Sequence, residues 1–305
     1  MIKARVLFWA GSILKPTMDL SEFLSGEACK RPFCVVLGHP VVHSLSPLMH
    51  NTALQHLGLD VRYHAVDTPG NSMALVDKLL HLKHFKGANV TIPLKSAILG
   101  HVHVQDYSVR NTGAANTLVP SDNDASNRVI TAYNTDIAGF LKPLEQEPLP
   151  ETAVVLGTGG ASLAIRYALR NAGVKELIVI SRRPTEYTGT IHPTETITTY
   201  GYLEQALNRC NLLVNTTPVG MFPRVDQSPI PASCYRLLEG KRVYDIVYNP
   251  LQTELLRCAA EHGARITAGL EMFIEQAGLS FERWFGVSMP REPVYKVLQK
   301  ALTTT

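Results

Sequence analysis

Neither sign of charge dominates this 305-residue chain: Lys and Arg total 29, Asp and Glu 26. A near-balance of this kind supplies no long-range field for nucleic acid or an anionic membrane surface. No window approaches the roughly 18 consecutive apolar residues of a membrane span. Cysteine is sparse: Cys29, Cys34, Cys210, Cys234 and Cys258 are odd in number and scattered, with no CxxC. That excludes a disulfide framework and gives no zinc-ligand spacing, so the thiols read as small core residues of a cytoplasmic protein. The eleven histidines come in local groups (His39, His43, His50; His81, His84; His101, His103) without a Cys or carboxylate set at ligand spacing. No metal is expected. There is no internal repeat and no low-complexity tract. Charged residues are only 18% and apolar ones 45%, which excludes a disordered chain.

At roughly 150 residues per domain the length predicts about two domains. From Phe33 onward, short β-branched runs alternate with helical patterns, the mark of an α/β class built on parallel sheets. Phe33 to Leu37 reads as a strand. Ser46 then suits a helix N-cap, Pro47 a first helical position, and Gly58 a terminating glycine, with Met49, Ala53 and Leu57 on one face. The Pro-containing polar stretch 145–150 marks a boundary, a second α/β unit follows to about residue 267, and the tail from Gly269 to about Leu302 is helical in pattern. Residues 1–30 read as a strand, a loose extension or an upstream start before Met18, dispensable for catalysis. The apolar run from Val6 to Ala10 is broken by Gly11 and Ser12 and lacks a nearby cleavage signal, so it is not read as a signal peptide.

The most specific local pattern is a strand, a glycine turn, a helix and a second strand. Ala153 to Leu156 is followed by Gly157, Gly159, Gly160, Ala161 and Ser162, then by Ile165, Ala168 and Leu169 on one helical face and by Leu177 to Ile180. This order suits a dinucleotide, because glycines let backbone N–H groups approach a pyrophosphate at the positive end of a helix. Ser162 departs from the third glycine of the fingerprint. At the end of the second strand, where NAD sites carry an acid for the ribose, stand Ser181, Arg182 and Arg183. A guanidinium binds a 2′-phosphate in bidentate fashion, which favours NADP; the alternative is a solvated arginine pair.

Four polar groups lie at the ends of apolar segments before residue 140. Ser44 and Ser46 flank Leu45. Asn89 and Thr91 alternate with Val90 and Ile92, predicting a strand with both polar groups on one face. Lys95 follows Pro93 in what reads as a first helical turn, where a cation is not the favoured charge. Asn116 and Asp136 complete the set. Singly, each is explained by capping, loop bonding or surface charge. Together they describe a pocket for a small polyol or carboxylate, with a Lys–Asp pair to handle a proton.

These residues resemble the shikimate dehydrogenase family. The resemblance rests on stretches 38–51, 87–95, 113–117, 134–136, 157–162, 215–221, 245–250 and 269–277, all in the family's order and spanning roughly residues 33–300. It implies two α/β domains, a substrate domain of residues 1–137 completed by 269–305 and a Rossmann-like NADP domain of residues 138–268, with a cleft between them. It implies reversible reduction of 3-dehydroshikimate to shikimate by NADPH, with small-molecule partners only, in a monomer or homodimer. Lys95 and Asp136 match the catalytic pair. Ser44 and Ser46 match the carboxylate site; Asn89, Thr91, Asn116 and Gln276 the ring hydroxyl contacts, with Tyr248 beside them. Gly157, Gly159, Gly160 and Ala161 match the pyrophosphate loop, Ser181, Arg182 and Arg183 the adenosine end. Thr216, Met221, Gly269 and Met272 match the nicotinamide end. Ile137 and Glu271 stand where glycine is common in the family. A quinate/shikimate dehydrogenase using NAD(P) is the nearest alternative; a non-catalytic NADP sensor is the alternative from another class.

Overall fold

The computed structural model describes residues 17–69, 72–121, 128–189 and 191–303, and its contacts divide the chain into two α/β units. The first takes the chain up to Thr135 and resumes at Ala277; the second runs from Asp136 to Gln276. The divisions fall at 135/136 and 276/277, against the expected 137/138 and 268/269. Asp136 and Gln276 therefore belong by contact to the second unit.

In the first unit, β2 (Phe33–Gly38) is buried along its whole length, as a parallel strand covered on both faces must be. It pairs in parallel with β3 (Arg62–Asp67) and β4 (Phe85–Val90). Helices Ser46–His56 and Met73–Leu80 make the two crossovers. Past β4, the sheet turns antiparallel through β6 (Thr117–Pro120) and β7 (Ile130–Tyr133). The short β5 (Val104–Gln105) and β1 (Met18–Asp19) form its edges, giving the order β1-β3-β2-β4-β6-β7-β5. The expected strand through Thr91 stops at Val90, and the N-cap of the first crossover helix is Leu45 rather than Ser46. Ser44 supplies the side chain there: its Oγ accepts the Ser46 N–H at 3.3 Å.

Up to residue 16, the expectation for the N-terminal segment lies outside the described residues. The remainder is not a loose extension. Met18–Asp19 pairs with β3, and the Asp19 carboxylate caps helix Leu20–Ser25 by accepting the Glu22 N–H at 2.8 Å. That helix drops Leu20 and Phe23 into the core, where the Phe23 ring meets Phe33 edge-on at 5.0 Å.

The second unit holds six parallel strands, β8 (Thr152–Leu156), β9 (Glu176–Ile180), β10 (Glu195–Thr198), β11 (Leu212–Asn215), β12 (Arg242–Asp245) and β13 (Arg265–Thr267). Their order is β10-β9-β8-β11-β12-β13, that of a Rossmann sheet. Both faces are apolar: Val154 and Leu156 of β8 pack on one side with Ile178, Leu213 and Val243, Ala153 and Val155 on the other with Leu177, Val214 and Tyr244. Strand order reverses between β8 and β11, and the crevice beyond those strand ends is where doubly wound sheets bind ligands. Among the described residues no helix is long and apolar enough to cross a membrane, and no group of His, Cys, Asp or Glu is placed to hold a metal ion.

Candidate active site and nucleotide cradle

At the reversal point the chain leaves β8 through Gly157, whose φ of +103° lies in the left-handed region. A Cβ there would stand 2.9 Å from Thr216 Oγ1 and 3.0 Å from Thr217 Cγ2. Glycine is thus required both by the backbone and by the close approach of the loop after β11. Thr216 donates from Oγ1 to the Leu156 carbonyl at 2.6 Å, tying the two strand ends together. Helix Gly160–Asn171 starts behind Gly159, which gives it no side-chain cap, and a Cβ on Gly159 would meet nothing within 4 Å. Uncapped N–H groups beside open space at a positive helix end fit a pyrophosphate. Ser162, the departure from the fingerprint, is buried and donates to the Gly157 carbonyl at 2.8 Å, so it braces the loop from within.

β9 delivers the adenosine-side residues. Ser181 is buried and its Oγ accepts the Arg183 N–H at 3.2 Å. Both arginine side chains reach solvent. Arg183 pairs with Glu186 at 3.2 Å, whereas Arg182 is paired with no carboxylate among the described residues. The cradle and the arginines together fit a phosphorylated dinucleotide.

The first unit gathers most of the expected polar groups. Asn89 at the end of β4 and Asn116 before β6 share one buried network. Asn89 Oδ1 accepts from Tyr63 Oη at 2.7 Å, and its Nδ2 donates to the Asn116 carbonyl and to Ser280 Oγ, each at 3.1 Å. Asn116 Nδ2 donates to Thr135 Oγ1 at 2.9 Å, and its Oδ1 accepts the Thr135 N–H at 2.8 Å. Thr117 Oγ1 lies 2.7 Å from Ser280 Oγ. Tyr63, Thr117, Thr135 and Ser280 were not singled out from the sequence, because their partners come from three strands and a helix far apart in the chain. Gly38 brings Thr91 close to the end of β2: a Cβ at Gly38 would stand 2.3 Å from Thr91 Cγ2. The serine loop is pinned at its base, with His39 Nδ1 on Asp67 Oδ2 at 2.7 Å and Asp67 Oδ1 accepting the Val41 N–H at 3.2 Å. Lys95 stands half-buried in a turn before the 3₁₀ segment Ala97–His101, not in a helix. Its carbonyl accepts the Ala115 N–H at 2.8 Å, which ties the lysine turn to the segment carrying Asn116.

The remaining expected residues lie in the second unit. Asp136 is buried and opens helix Asp136–Leu141. Within that helix Gly139 allows backbone contact with helix Gly269–Phe285: a Cβ at Gly139 would lie 2.9 Å from Gln276 Cβ and 3.1 Å from the Met272 carbonyl. Gln276 Nε2 donates to the Phe273 carbonyl at 2.8 Å. The start of the helix presses on the loop after β12, since a Cβ at Gly269 would come within 2.3 Å of the Ile246 carbonyl oxygen. On that loop the Tyr248 ring stacks on Phe273 at 3.9 Å. Glu271 sits in the first turn of the same helix, where the positive helix end favours an acid. Met221 is 44% exposed in a turn, apart from these contacts.

The loops at this end hang on Asp245. Its Oδ1 accepts from Val247 N–H and Asn215 Nδ2, both at 3.0 Å, and Oδ2 accepts from Thr253 Oγ1 at 2.7 Å. Asn215 Oδ1 in turn accepts the Thr217 N–H at 3.0 Å. Burial pushes the Asp245 pKa up to about 6, against the pull of the three hydrogen bonds. The folded state then holds this proton more tightly than the unfolded chain. The associated stability is complete below about pH 4 and is lost as pH rises through about 6. Asp245→Asn keeps the shape without the charge. Its stability relative to wild type is expected to improve by ~2–3 kcal/mol between pH 4 and 7. Denaturant unfolding across that range measures it, and a pH-independent difference would contradict the assignment.

Comparison with known proteins gives a consistent result. A family model for the shikimate dehydrogenase substrate binding domain matches residues 36–118, and one for the shikimate 5′-dehydrogenase C-terminal domain matches residues 269–299. The NADP(+) shikimate dehydrogenase of Moorella thermoacetica is 38% identical over 279 residues, 88% of this chain and 92% of the relative. The crystal structure of Thermus thermophilus shikimate 5-dehydrogenase in complex with NADP(H) and shikimate aligns with a TM-score of 0.74 at 34% identity, covering 89% of this chain and 100% of the other. Quinate dehydrogenase from Corynebacterium glutamicum in complex with NAD aligns at 0.76 and 27% identity, covering 90% and 99%.

Proposed function

The chain belongs to the shikimate dehydrogenase family, and on that premise we propose that it interconverts 3-dehydroshikimate and shikimate with NADP(H). The observation that carries the cofactor half of this reading is the Gly157–Thr216 cradle at the strand-order reversal, followed one strand later by an arginine that pairs with no carboxylate among the described residues. The Gly159–Ala161 turn receives the pyrophosphate, Arg182 the 2′-phosphate, and Thr216, Gly269 and Met272 flank the nicotinamide end. Bound there, the cofactor supplies the hydride of the reaction.

The remaining chemistry belongs to the chain. Ser44 and Ser46 hold the substrate carboxylate on the loop that His39 and Asp67 pin. Asn89, Thr91, Asn116, Gln276 and Tyr248 line the ring, and Asn89 also braces the segment of Asn116 by donating to its carbonyl. Lys95 Nζ donates a proton to the carbonyl oxygen during reduction and takes it back in oxidation. Asp136 orients that ammonium and binds an adjacent hydroxyl. A general acid placed in this way contributes typically 10²–10⁴-fold in rate. All five cysteines stand as free thiols, in keeping with a reducing, cytoplasmic compartment.

Steady-state kinetics with shikimate and quinate, each against NADP⁺ and NAD⁺, tests the reading. The highest kcat/KM is expected for shikimate with NADP⁺; a clear preference for quinate with NAD⁺ would overturn it. Arg182→Ala is expected to lower kcat/KM for NADP⁺ by ~10–100-fold, the worth of a charge-assisted bond, with little change for NAD⁺. Equal losses with both cofactors would remove Arg182 from the phosphate site.

A further inference from the structure

The turn that carries the arginines leaves the sheet at Ile180 and rejoins it at Glu195. Within it the Glu186 N–H reaches the Arg183 carbonyl at 3.2 Å and, after the 3₁₀ segment Pro184–Glu186, the Tyr187 N–H reaches the Pro184 carbonyl at 3.3 Å. The side chain of Tyr187 ties it to the helix that begins at the pyrophosphate cradle. Arg166 of that helix, 2% exposed, donates from Nη1 to Tyr187 Oη at 3.0 Å, with its guanidinium carbon 5.1 Å from the Tyr187 ring centroid.

Arg166 is itself immobilised. Its Nε donates to Glu195 Oε1 at 3.2 Å and its Nη2 to Oε2, while Arg170 reaches the same carboxylate. Glu195 is buried at the start of β10. Burial alone would raise its pKa, yet the bond and charge of Arg166 hold it below the usual carboxylate range. The phenol has a second support: a Cβ on Gly189 would stand 2.4 Å from Tyr187 Oη and 2.6 Å from its Cζ. The ring therefore rests on bare backbone.

We propose that Tyr187, seated on Gly189 and held by the Arg166–Glu195 pair, is a positioning residue that presets the arginine turn for the 2′-phosphate and so sets the preference for NADP over NAD. The inference rests on the reading that Arg182 meets that phosphate. Arg182 and Arg183 are long and exposed, and bidentate phosphate recognition needs a fixed fork. A turn ordered in advance spares the phosphate the entropy of ordering it. The two guanidiniums of Arg166 and Arg170 against the single Glu195 carboxylate leave net positive charge behind the turn, of the right sign for a phosphate.

The test is the KM for NADP⁺ and for NAD⁺ in wild type, Tyr187→Phe, Gly189→Ala and Arg182→Ala, with thermal unfolding of each. Tyr187→Phe removes the hydroxyl that accepts from Arg166 and keeps the ring. It is expected to raise the KM for NADP⁺ by ~3–10-fold and that for NAD⁺ by less than about twofold. Gly189→Ala, which pushes the phenol off its seat, is expected to shift the ratio in the same direction. The proposal is overturned if Arg182→Ala shifts the cofactor ratio while both turn variants keep the wild-type ratio. It is overturned equally if they raise both KM values together along with a lower Tm, the mark of a structural role alone. An unchanged ratio in Arg182→Ala identifies the other failure, that of the phosphate reading, and the proposal falls with it.

Discussion

Lys95→Ala is expected to lower turnover of shikimate by roughly 10²–10⁴-fold, the range for loss of a general acid–base group, while leaving NADPH affinity close to wild type. The split follows from where the residue stands. Lys95 lies in the first unit, in the turn that follows β4, whereas the glycine cradle and the arginines lie in the second. Its backbone tie to Ala115 uses the carbonyl and survives the substitution, so the lysine turn and the neighbouring Asn116 segment keep their shape. The side chain is only half-buried, and its removal leaves no large cavity. A charge effect is separated from a proton effect by Lys95→Arg, which keeps the cation but holds its proton far more firmly. It is expected to restore binding of the substrate more than turnover. Single-turnover rates and cofactor titration in parallel supply the measurement. A wild-type rate in Lys95→Ala would remove the residue from the reaction.

Phe23→Ala is expected to cost ~3–5 kcal/mol of stability, the range for deleting a fully buried aromatic side chain. Phe23 is 0% exposed and meets Phe33 at 5.0 Å and His64 at 5.5 Å. Phe33 begins β2, an interior strand paired on both sides by β3 and β4, so the void would open at the root of the sheet. The site is poorly able to collapse, because helix Leu20–Ser25 is held at its start by the Asp19 cap and the β1–β3 pairing. Equilibrium denaturation reads the change as a lower midpoint at unchanged slope. A loss below about 1 kcal/mol, the usual size of a surface change, would show that this segment is not part of the core. The same reasoning separates two truncations: removal of residues 17–30 is expected to destabilise the first unit, whatever the effect of removing those before it.

Much of the candidate nucleotide cradle was legible in the sequence. A strand, a glycine turn and a helix are local features, and the left-handed backbone of Gly157 is a local demand, although the close approach of Thr216 that also requires glycine there is not. The arginines after β9 were readable for the same reason. The reading went astray where neighbours in space are distant in sequence. The bonds that brace Asn89 were not legible: its Oδ1 accepts from Tyr63, 26 residues away, and its Nδ2 donates to Ser280, 191 residues away. Lys95 looked helical because it follows Pro93, yet the bond from Ala115 holds a turn there instead. The place of residues 17–30 in the first unit was not legible, because a short strand and a six-residue helix carry little periodicity and only the pairing with β3 fixes them there.

By itself, then, the amino-acid order determined the α/β class, the glycine turn after β8 and the set of polar residues available to a substrate, since each is encoded by short-range periodicity, backbone freedom or residue chemistry. Tertiary structure alone decided which of those polar groups are already bonded to one another, which serine closes the glycine loop, and how a tyrosine, a glycine and a buried ion pair hold the arginine turn. Hydrogen bonds and van der Waals contacts act over a few ångströms of space, and only the folded chain brings groups so far apart in sequence within that reach.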